Sequence, residues 1–161
     1  MNTKKPKKPK KFNVSDNACT PEPFITASAE REACKVCTRY LFSKEPFALP
    51  WKPKGWTGRL AVVMESDNPL PTARRLIQKL YKKAGYHDRD IALIHSVRCH
   101  TEKAPGMTAI RACRPFFLKT LKTWKPAGLL GVGAIALRTM TNKGDGNITK
   151  NRGIELEVPG L

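Results

Sequence analysis

Four cysteines in two distant groups carry the most chemistry in this 161-residue chain. Cys34 and Cys37 form a C-x-x-C pair; Cys99 and Cys113 lie far downstream, with thirteen residues between them. A C-x-x-C pair aims two thiolates from one tight turn at a single point. Two more thiolates from a distant segment complete a four-sulfur shell, which suits an iron–sulfur cluster or a zinc ion. Such a shell ties the N-terminal segment to the rest of the chain. Cys19 falls outside the pattern and reads as a free thiol. The basic N-terminus lacks the apolar segment of a secretory signal, which favours metal ligation over disulfides.

The second chemical feature is charge. The formal net charge is +17, and the six lysines of residues 1–12 account for only part of it, leaving +11 on the remainder. A surplus of this size on a small domain calls for a polyanionic partner, and nucleic acid is the expected one. Residues 1–18 alternate lysine with proline and read as a disordered basic tail; residues 19–161 read as one α/β domain. No apolar stretch is long enough to span a bilayer, so the expectation is an intracellular protein, cytoplasmic or nucleoid-associated.

The elements that must position these groups follow from periodicity. Residues 19–58 are mostly loop, with a short helix at 28–36; Trp51 and Trp56 there read either as plugs over the core or as platforms for bases. The apolar run Leu60-Ala61-Val62-Val63-Met64 reads as a buried strand. Ala73, Leu76, Ile77, Leu80, Tyr81 and Ala84 recur on one face of a helix over 70–85, with basic residues opposite and Gly85 as its stop. A second strand is expected over 91–97 and a helix over 108–124, which Pro115 either kinks or divides by starting its second half. A third strand over 127–132, a short helix over 134–140 and the beginning of a fourth strand over 154–158 complete the reading. Strand and helix alternate, so the sheet is mostly parallel, sandwiched as α/β/α, and its ligands belong at the carboxyl ends of the strands.

In this order the motifs resemble a known family. C-x-x-C is followed by a strand and acidic loop, then Ser96-Val97-Arg98-Cys99, Ala112-Cys113-Arg114-Pro115-Phe116-Phe117, Lys125-Pro126 and Leu130-Gly131-Val132-Gly133-Ala134-Ile135-Ala136-Leu137-Arg138. Ile148-Thr149-Lys150-Asn151-Arg152-Gly153 closes the series. From about Cys34 to Gly153 the chain is similar to the iron–sulfur uracil-DNA glycosylases, family 4 and its relatives. The resemblance implies a three-layer fold and a structural [4Fe–4S] cluster on Cys34, Cys37, Cys99 and Cys113. It also implies base flipping and hydrolysis of the N-glycosidic bond of uracil in DNA, as in base-excision repair.

The departures from that family are specific. Where its first motif is G-E-x-P-G, this chain has Met64-Glu65-Ser66-Asp67-Asn68-Pro69, keeping the glutamate on a different loop, with Met64 in place of the glycine before it. The uracil-stacking phenylalanine has no counterpart, His95 takes the place of the uracil-reading asparagine, and no histidine follows His100. The family's catalytic histidine sits in a loop after a fourth strand, so the domain is expected to be C-terminally incomplete. Glu65 is the candidate for positioning water, or else a charge partner for the next helix; Asp67 and Asn68 read as caps for that helix. His95 is the candidate for reading a base edge, or else an internal histidine bonded to backbone. Arg98, Arg114, Arg138, Lys150 and Arg152 are candidate phosphate contacts, with His100 among them; Gly131 and Gly133 either admit a phosphate or make a tight turn. Two functions remain open: a glycosylase-like DNA-binding protein acting on single-stranded or uracil-containing DNA, or a non-catalytic nucleic-acid-binding module of a replication or repair complex. A divergent glycosylase with another base preference, read through His95, is a third.

Overall fold

A computed structural model describes residues 37, 38, 41, 43, 49–65, 71–99 and 103–161, with the backbone alone for 71–75. The basic tail, the expected 28–36 helix, Cys19 and Cys34 lie outside the described residues. The elements are β1 (Leu60–Met64), α1 (Pro71–Lys83), β2 (Ile91–His95), α2 (Met107–Trp124), β3 (Gly128–Gly131), α3 (Ala134–Thr141) and the single turn α4 (Ile148–Asn151). A 3-10 turn, Asp88–Asp90, leads into β2.

The three strands form one open parallel sheet in the order β2-β1-β3, with Leu60 opposite both Ile91 and Gly128. The central position of β1 explains its unbroken apolar sequence: all five residues are buried, because helices cover both faces. On one face Ala61, Val63, Ala92 and Ile94 pack against Phe117 and Leu121 of α2 and Ala136 and Met140 of α3. On the other, Leu60, Val62, Met64 and Ile91 meet Tyr81 and Ile77 of α1. Full burial of each Val or Ile here contributes about 1.5–3 kcal/mol. The molecule is thus an α/β protein with parallel strands and helical crossovers.

Local chemistry ends each helix where the sequence places a stop. After α1, Gly85 takes φ +78, Gly85 N–H donates to the Lys82 carbonyl and Tyr86 N–H reaches back to that of Tyr81. Lys125 adopts the left-handed region at the end of α2, donating to the Leu121 carbonyl, and Pro126 prevents continuation. Pro115 sits within α2, which runs on through it.

Two expectations are corrected. Residues 154–158 form no strand: Val158 packs into the α2–α3 side of the core while Ile154 stays 56% exposed. The alternation Ile154-Glu155-Leu156-Glu157-Val158 puts one side chain inward without any ladder along β3. The apolar face of α1 is also narrower than its spacing implies. Ile77 and Tyr81 pack against β1 and β2, whereas Leu76 and Leu80 are exposed.

Candidate functional site

The carboxyl ends of the strands lie together. Ser96 N–H donates to the Met64 carbonyl at 2.7 Å, Val97 N–H to that of Glu65 at 3.4 Å, and Val132 N–H to that of Val63 at 2.9 Å. The chain leaves β1 toward β2, whereas β3 lies on the other side of β1, so the topological switch falls between β1 and β3. Glu65 stands there, exposed to solvent at the end of the central strand. Beside it, Gly133 caps α3 with φ 91 and ψ 169, a conformation open to glycine almost alone. Gly131 leaves room for the Met140 sulfur, which a β-carbon would meet at 2.7 Å. Both glycines therefore have a packing or turn role of their own.

His95 ends β2 opposite Met64 and is 7% exposed. With Pro50, Ile94, Arg98, Cys113, Phe116, Phe117 and Thr120 it lines a recess of about 10 Å³. That is roughly the space of one water. The Arg98 guanidinium lies over the Phe116 ring, 4.2 Å from its centroid, which orients the cation at the rim.

Two of the four proposed metal ligands are buried at this end of the sheet: Cys99 is 2% exposed and Cys113 is 6% exposed. Val97, two residues before Cys99, shares a buried cluster with Cys113, Ile110 and Ile135. Cys37 is half-buried. Buried thiols suit a soft metal, so the donor chemistry of Cys99 and Cys113 fits an iron–sulfur or zinc centre. Cys34 lies outside the described residues, and among the described residues no three Cys, His, Asp or Glu side chains gather at one point.

The proposed phosphate contacts separate into two kinds. Arg114 serves the fold itself. Its Nε donates to the Thr139 carbonyl at 2.9 Å, and one terminal nitrogen reaches the carbonyls of Met140 and Pro159 at 3.4 and 2.5 Å. It thereby closes the end of α3 and holds the segment after α4. Arg138 lies half-buried against Gly146, where an added β-carbon would stand 2.6 Å from its Nε. Lys150 and Arg152 are exposed around α4, open to an anion. His100 lies outside the described residues, as do Asp67 and Asn68.

Asp90 is a residue that periodicity did not single out. It is 2% exposed and collects Thr57 Oγ1 at 2.8 Å, His87 N–H at 2.8 Å and the Arg59 guanidinium at 3.2 Å, while its carbonyl accepts from Trp56 Nε1 at 3.1 Å. The backbone hydrogen bond from His87, then that from Thr57, hold its carboxyl below the ordinary value of 3.8, against the opposing effect of burial. The visible signal was an aspartate directly before an apolar strand, a pattern too common to mark a hub. Among the described residues no helix is long and apolar enough to cross a membrane. No protein-family model matches the chain, and none of the curated proteins matches it.

Proposed function

We propose that the chain is a DNA-binding domain of the iron–sulfur uracil-DNA glycosylase type. The reading is supported by two buried cysteines, Cys99 just past the carboxyl end of β2 and Cys113 in a cluster with Val97 from that same strand end, in a chain of net charge +17. Cys34, Cys37, Cys99 and Cys113 would hold a [4Fe–4S] cluster whose contribution is structural, clamping the N-terminal segment to the domain. Arg98, Lys150 and Arg152 would contact phosphates. Glu65, exposed at the strand switch, would orient a water toward a sugar carbon, and His95 would donate to a base edge.

A second reading, a nucleic-acid-binding module without base excision, is favoured by the departures at the catalytic positions, where Met64 replaces the glycine before Glu65 and His95 replaces the uracil-reading asparagine. Anaerobically purified protein tests the common part. We expect a brown solution absorbing near ~400 nm with about four irons per chain, both lost in Cys99→Ser and Cys113→Ser. A colourless or zinc-loaded preparation rejects the cluster. Release of free uracil from single-stranded uracil-containing DNA, abolished in Glu65→Ala, supports the glycosylase. Salt-sensitive binding without base release supports the module.

A further inference from the structure

We propose that Trp51 is a stacking platform for a base of single-stranded nucleic acid, presented along the outer edge of β2. This rests on the nucleic-acid-binding reading above and adds to it the form of the strand and the residue that recognises it.

The three tryptophans divide sharply. Trp56 and Trp124 pack on the core cluster, their rings tilted together with centroids 5.7 Å apart, and Trp56 Nε1 is bonded to the Asp90 carbonyl. Trp51 leaves 42% of its surface exposed. A solitary exposed apolar side chain is ordinary; this one is held on a fixed support. Its backbone exchanges two hydrogen bonds with Leu93, at 2.8 and 2.7 Å, in an antiparallel bridge along β2. Six residues on, Thr57 is tied back by its N–H to the Arg89 carbonyl and by its hydroxyl to Asp90. Anchored at the middle of β2 and at the turn just before it, the segment gives Trp51 little freedom, so stacking a base on it orders little further chain.

Cations lie in this segment and near it. Lys52 and Lys54 belong to the same segment. The Lys52 Nζ lies 5.7 Å from the Trp124 centroid. Pro50, next to Trp51, lines the recess shared with Arg98, whose guanidinium is held over Phe116. An open indole close to cations is the arrangement that binds unpaired strands: phosphates meet the charges and a base face meets the ring. A duplex hides its base faces within the stack and gains only the charges.

The test measures binding of the full chain to a labelled oligothymidylate of about 12 nucleotides and to a duplex of the same length, across a salt series. For Trp51→Ala we expect the single-strand Kd to rise about 5- to 100-fold, whereas Trp51→Phe, which keeps a ring, stays within about threefold of wild type. Duplex affinity and the salt slope should be unchanged, since no phosphate contact is removed. Single-strand binding by Trp51→Ala that equals wild type overturns the proposal, as does an equal loss for both nucleic acids. Wild-type protein that binds neither rejects the underlying reading instead, a result distinct from an unaffected variant.

Discussion

At the scale of single residues, the same residue type takes up different work according to what its neighbours supply. Arg114 and Arg98 were both expected to meet phosphates, yet Arg114 closes backbone carbonyls while Arg98 lies on an aromatic ring at a rim. Charge was legible; its destination was not, because that depends on carbonyls 25 to 45 positions away. Asp90 makes the point for stability. Its carboxyl is held below its ordinary value in the folded state, so its contribution is complete above that value of 3.8 and is lost as pH falls through the lower folded value. Asp90→Asn should therefore lower the urea midpoint at neutral pH, with the gap to wild type closing below about pH 4. A gap that persists unchanged into acid would show that the carboxylate charge is not what holds Thr57, Arg59 and His87.

At the scale of elements, strands and helices were readable where a single local rule governed them. The apolar run of β1, the Gly85 stop and the Lys125-Pro126 end of α2 follow from burial, left-handed backbone and proline respectively. What failed needed knowledge of partners. The 154–158 segment alternates like a strand but forms none, and Leu76 and Leu80 keep helical spacing yet stay exposed. The candidate site was legible to a similar depth: the strand ends could be named in advance, whereas the separation of Trp51 from Trp56 required the bridge to Leu93. The turn from β3 into α3 offers a direct check. Gly133 occupies φ 91 with open space where a β-carbon would go, so Gly133→Ala tests backbone strain without a steric clash. We expect a loss of about 1–3 kcal/mol in unfolding free energy. An unchanged midpoint would mean that this turn relaxes to a conformation open to alanine.

At the scale of the whole molecule, a narrow sheet carries a large positive charge and leaves unusual side chains open around β2 and the end of β1. Core packing explains β1 and its two helical faces. It does not explain the exposed Glu65, the cation on Phe116 or an indole left open at the sheet edge. Ligands of parallel α/β sheets bind at the strand ends, where the first two of these stand. The bridge between Trp51 and Leu93 couples a stretch outside the regular elements to β2. Since each residue's amide hydrogen is held by the other's carbonyl, both become accessible to deuterium in one opening event. In native-state exchange the two amides should show protection within about threefold of each other, well above that of the exposed Gly144. If Trp51 exchanged as fast as Gly144 while Leu93 stayed slow, that edge would be open in solution.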